Sequence, residues 1–122
     1  MLIISLMNKE RCMFMLWVET IVCSSKQGVD ARLRRMLNAR QEFKRRQKGC
    51  VAAWVGRAPD NSEMLLVQSV FQSSTDWKRI SELIQSTLDA EDGGIDGLLL
   101  GPPLIGVFEI NPSELSFNNT EN

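Results

Sequence analysis

The sequence has no histidine and no tyrosine among its 122 residues. The missing imidazole removes much of the familiar catalytic apparatus: a Ser-His-Asp triad, a Cys-His pair, a histidine-ligated metal and a histidine-ligated haem. Acid–base chemistry falls to Asp, Glu, Lys, Cys or water. Cysteine is scarce too. Cys12, Cys23 and Cys50 are odd in number and lack metal-ligand spacing, so they read as reduced, mostly buried thiols. No metal and no cofactor are expected. Long apolar runs are also missing. The longest, around Met13 to Val18 and Leu98 to Ile105, fall far short of the roughly 20 residues that span a bilayer. Met1 to Met7 is apolar, but Asn8, Lys9, Glu10 and Arg11 follow at once, with no basic lead-in and no small-residue cleavage site. The expectation is a cytoplasmic protein without a membrane anchor.

What is present suits one domain: 43% hydrophobic residues can build one core, and the length leaves no room for a second. The charges are sorted along the chain. Lys26 to Lys48 holds nine basic residues against Asp30 and Glu42, whereas Ile80 to Asn122 holds eight acidic residues and neither Lys nor Arg. A basic helix can meet nucleic acid, but the acidic remainder repels phosphates, and no zinc knuckle or aromatic RNA-binding signature accompanies it. Nucleic acid is not expected as a partner. The basic stretch reads as a solvated helix face that also meets acidic segments of its own fold or partner.

Phe14 to Ser24 is dense in aromatic and β-branched residues and ends at Lys26-Gln27-Gly28, which predicts a strand and a turn. Val29, Leu33, Met36, Leu37 and Phe43 recur at helical spacing up to Gln47, with Gly49 as the stop. Cys50 to Arg57 and Met64 to Phe71 read as a hairpin around Ala58-Pro59-Asp60-Asn61-Ser62. Ser73 or Ser74 then caps a helix with Asp76 in its first turn and Trp77, Ile80, Ile84 and Leu88 as its apolar stripe. A glycine-rich acidic connection from Asp89 leads through Pro102-Pro103 to a last strand, Leu104 to Ile110. Residues 1–13 are expected to be a poorly ordered extension, 14–111 the domain, and 112–122 a polar tail.

The order β-α-β-β-α-β is that of a ferredoxin-like α+β fold, with a four-stranded antiparallel sheet and both helices on one face. Strands as apolar as Met64 to Val70 and Leu104 to Ile110 do not leave their second face in water, so a homodimer joined through the helix-free face of the sheet is expected.

These residues also resemble a known family. A strand, a long helix ending in Gln47-Lys48-Gly49-Cys50, a hairpin and then Val70 to Ile80 (VFQSSTDWKRI) are similar to the antibiotic-biosynthesis-monooxygenase domain of the dimeric α+β barrel superfamily. The resemblance covers roughly Leu16 to Ile110. Gly49 and Cys50 match the family's Pro-Gly-Cys step, with Lys48 in the place of proline, and Phe71, Ser73 and Trp77 match its positions at the start of the second helix. The chain departs from the pattern where Ile80 replaces a frequent histidine and Ser69 a frequent acidic residue. The resemblance implies a dimeric barrel and, for activity, cofactor-independent oxygenation of phenols or quinols or degradation of haem.

Arg40 lies at the centre of the apolar face of the first helix. Its stem can cover the core while the guanidinium reaches the edge or pairs with Glu19 or Glu109, or it can bind an anionic or phenolate oxygen in a cavity. Trp17, Trp54, Phe71 and Trp77 are either core or the walls of a flat aromatic pocket. Glu19 interrupts an apolar strand and is either an edge or interface group or a general base. Cys50 reads as structural, and Glu91 to Gly97 as a flexible flap beside the helix–sheet cleft. The candidate ligand-binding set is Arg40, Trp54, Phe71, Trp77, Ile80 and Glu19. Two functions stay open: a cofactor-independent monooxygenase for a small aromatic or quinol substrate, and a non-catalytic dimeric barrel that binds a small apolar ligand or has a regulatory or structural role.

Overall fold

The computed structural model describes residues 15–115. The expected extension at 1–13 and the tail beyond residue 115 lie outside the described residues. Strand β1 (Leu16–Ser24) leads through a turn at Gly28, whose φ is +87°, into helix α1 (Asp30–Arg45). Asp30 in the first turn of α1 and Lys44 and Arg45 in the last complement the helix dipole. Strands β2 (Cys50–Ala58) and β3 (Asn61–Phe71) form the hairpin, turning tightly at Pro59-Asp60. Helix α2 (Ser74–Ile84) is capped by Ser73, whose Oγ accepts from the Asp76 backbone N–H at 3.1 Å. It runs on through a π-helical turn (Gln85–Asp89) and a short last turn (Ala90–Asp92), and strand β4 (Leu104–Ile110) closes the fold.

All strand pairs are antiparallel and the sheet order is β2-β3-β1-β4, the ferredoxin-like arrangement. Alternation along the strands sends Ile21, Cys23, Leu65 and Val67 to the face where Leu33 and Leu37 of α1 pack, and Phe71 to the same face beneath Ile80 and Ile84 of α2. Both helices therefore cover one face. The other face carries Val22, Leu66 and Val70 together with Trp54, Met64, Leu104 and Phe108, the last two 73% and 56% exposed. That is an unusually apolar surface for a single chain.

One irregularity redirects a side chain. The β2–β3 register shifts between Cys50 and Ala52, so that Cys50 lies opposite Phe71 on the helix face but Ala52 opposite Val70 on the open one. A bulge exchanges inside for outside along the rest of the strand. Ala53 and Val55 point to the helices, and Trp54, expected in an aromatic pocket, stands on the open face, 41% exposed.

Candidate functional site

A cleft of about 330 Å³ lies between α1, α2, the sheet and the segment around Gly94–Asp96. Its walls are largely aliphatic, from Ile21, Leu37, Val67, Ile84, Ile95 and Ile105, and its polar groups include Glu19, Arg40, Gln41, Lys44, Asp89 and Asp96. The helix face that begins apolar at Leu33 and Leu37 turns polar toward its C-terminal end, where Arg40, Gln41 and Lys44 are all buried. A solvated helix end would hold these groups in water; here the sheet lies beneath them.

Lys44 Nζ donates to Ser69 Oγ at 2.9 Å and stands 3.8 Å from Glu19 Oε1, with the two charged side chains only 9% and 14% exposed. Glu19 and Ser69 face each other across β1 and β3, which places both under the same turn of α1. Trp77 Nε1 donates to the second oxygen of Glu19 at 3.1 Å. Gln41 Nε2 donates to the Trp54 and Gln68 carbonyls at 3.2 and 2.8 Å and to Ser69 Oγ at 3.1 Å. Two of these partners can only accept, so they fix the orientation of the amide. Burial pushes the Lys44 ammonium below its usual range, and the Glu19 carboxylate offsets this only in part. The Cys50 thiol is pushed up by burial despite the nearby Lys44, which disfavours the thiolate a nucleophile needs.

Arg40 forms the other wall. Its guanidinium donates to Asp89 Oδ1 at 2.7 Å and to both oxygens of Asp92 at 2.8 and 3.1 Å, closing α1 against the end of α2. The hydrogen bond from Arg40, with a further one from the Gly94 N–H, holds the Asp92 carboxyl below its usual range. The expected partners Glu19 and Glu109 are thus corrected: Glu19 belongs to Lys44 and Trp77, and Arg40 to two aspartates about fifty positions along the chain.

Of the candidate set, Arg40 and Glu19 line the cleft. Phe71 and Ile80 do not; both are fully buried in a cluster with Ile84. Trp77 packs on Trp17 with ring centroids 5.6 Å apart and a 40° angle between the planes. The expected aromatic pocket is therefore not assembled, because the bulge turns Trp54 outward and Phe71 and Trp77 are spent on the core. Gly94, Ile95 and Asp96 do stand at the rim, where a flap was expected. Lys44, Gln41 and Asp89 were missed. A signal existed for the first two: tracing the stripe from Leu33 and Leu37 in helical steps leads to Arg40, Gln41 and Lys44.

Among the described residues no cluster of His, Cys, Asp and Glu is arranged to hold a metal ion, and no helix is long and apolar enough to cross a membrane.

No family model matches the chain, and no curated protein is significantly similar to it. Solved structures are similar in fold. A Nitrosomonas europaea protein provisionally assigned as an antibiotic biosynthesis monooxygenase superposes with a TM-score of 0.67 at 10% identity, over 77% of this chain and 88% of its own. SnoaB from Streptomyces nogalater, described as a cofactor-independent oxygenase, gives 0.64 at 17% identity over 76% and 90%. A Deinococcus radiodurans protein with the same provisional assignment as the first gives 0.65 at 16% over 76% and 90%. The chain therefore has the antibiotic-biosynthesis-monooxygenase-like fold, and at these identities the likeness is one of fold.

Proposed function

We propose that the protein is a cofactor-independent oxygenase that takes a small phenol or quinol into the helix–sheet cleft, and that it works as a homodimer joined through the open face of the sheet. The observation that carries this reading is Lys44: a desolvated amine held by Ser69 and Glu19 at an aliphatic cleft. Histidine is the usual proton acceptor in such a place, and this chain has none. A lysine whose ionised form is disfavoured by burial does the same work. Lys44 in its amine form takes the hydroxyl proton, and the resulting ammonium faces the phenolate in a site from which water is largely excluded. The electron-rich phenolate then reduces dioxygen itself. One oxygen atom enters the ring to give a quinone and the other leaves as water, so phenol and dioxygen balance quinone and water.

Oxygen uptake with simple phenols and quinols, measured above the buffer rate, tests the reading. Uptake is expected with the parent protein and should fall by about 10²–10⁴ in Lys44→Met, the usual worth of a positioned acid–base group. The aliphatic walls favour a second reading, a non-catalytic barrel that only binds an apolar ligand. Saturable binding of phenols without uptake would establish it in place of the first.

A further inference from the structure

We infer that Lys44 is a covalent attachment point for small apolar aldehydes and ketones: its Nζ, in an aliphatic cleft beside Glu19 and Ser69, condenses with a carbonyl group to form an imine. The inference goes beyond the oxygenase reading and does not need dioxygen.

Imine formation needs an unprotonated amine, room for the carbonyl compound, a group that moves protons during dehydration, and little competing water. The cleft supplies all four. Burial disfavours the ammonium form of Lys44, and the neighbouring Arg40 charge acts in the same direction, against Glu19 and Cys50. The other lysines among the described residues, Lys26, Lys48 and Lys78, are exposed to water. A volume of about 330 Å³ holds a single small ring or a short branched chain. Ser69 fixes the amine at 2.9 Å, and the Glu19 carboxylate, 3.8 Å away, exchanges a proton with it.

The step balances without an oxidant. The Lys44 amine lone pair forms a bond to the carbonyl carbon, and Glu19 carries one proton from that nitrogen to the carbonyl oxygen, which becomes a hydroxyl. Glu19 then carries the remaining nitrogen proton to that hydroxyl, which leaves as water while the nitrogen lone pair closes the C=N bond. Amine and carbonyl become imine and water.

The test is reductive trapping on the full chain. The protein is incubated with benzaldehyde and sodium cyanoborohydride near neutral pH, and the benzylated lysines are located by peptide mapping. Lys44 is expected to label several-fold faster than Lys26, Lys48 and Lys78, and Ile84→Trp, which fills the cleft, should slow Lys44 alone. Equal labelling of all lysines, or Lys44 slowest, overturns the inference. The labelled positions are read directly in the parent protein and do not depend on a variant folding. Absence of oxygen uptake with phenols would sink the oxygenase reading and leave this labelling pattern intact.

Discussion

The Lys44 amino group is buried where little water reaches it, and that fixes a sign for the pH dependence of stability. Its folded pKa lies below the unfolded one, chiefly through desolvation, so between those two values the unfolded chain binds more protons than the native one. Stability then rises with pH across that window. Comparing the parent with Lys44→Met cancels the other titrating groups, and the parent should gain relative to the variant as pH climbs toward the ordinary lysine pKa of 10.5. Urea denaturation at several pH values measures this, and an opposite slope would mean that Glu19 outweighs burial. Arg40 is the contrasting case. Its carboxylates sit on a partly exposed rim, where water screens them, so its pairing positions a segment more than it stabilises the fold.

At the scale of elements, the step from α1 to β2 also governs the start of α2. Gly49 adopts φ +98°, and a Cβ there would lie 2.5 Å from Asp76 Oδ1, in the capping arrangement of Ser73. Gly28 has a similar φ of +87° but nothing within 4 Å. Gly28→Ala should therefore cost only the left-handed backbone term, about 1–2 kcal/mol. Gly49→Ala adds the damaged cap, worth about 1 kcal/mol more. Equal losses in chemical denaturation would show that Asp76 moves aside freely.

The same elements show what a sequence makes legible. Hydrophobic period, the Ser73 cap and the Pro59-Asp60 turn are local signals, and they located both helices, the hairpin and the sheet order that follows from them. Arg40 was legible as a cation on an apolar stripe. Its partners were not, because Asp89 and Asp92 reach it through a tertiary approach that no spacing encodes. Trp54 was misplaced for a different reason: alternation propagates only while the register holds, and the shift after Cys50 has no glycine or proline to announce it.

For the whole molecule, the decisive surface is the helix-free face. Trp54, Met64, Leu104 and Phe108 lie exposed across three strands there, and a second copy covers them most simply, since the same patch then serves both partners. Sedimentation should give twice the mass of one chain at micromolar concentration. Phe108→Asp or Trp54→Asp should dissociate or precipitate the protein without altering the cleft on the opposite side. A parent protein that sediments as one chain would exclude the homodimer.

Strand β1 serves both surfaces at once. Its odd-numbered positions, Trp17, Glu19, Ile21 and Cys23, turn to the helices and the cleft, and its even-numbered ones, Val18, Thr20 and Val22, turn to the open face. Point substitutions can therefore alter the cleft and the open face independently, each drawing on its own alphabet of positions. A single inserted or deleted codon within the strand would instead swap the two sets, putting Glu19 on the open face and Thr20 in the cleft in one event. Natural variation in length should be confined to the turns, while β1 itself evolves by replacement alone.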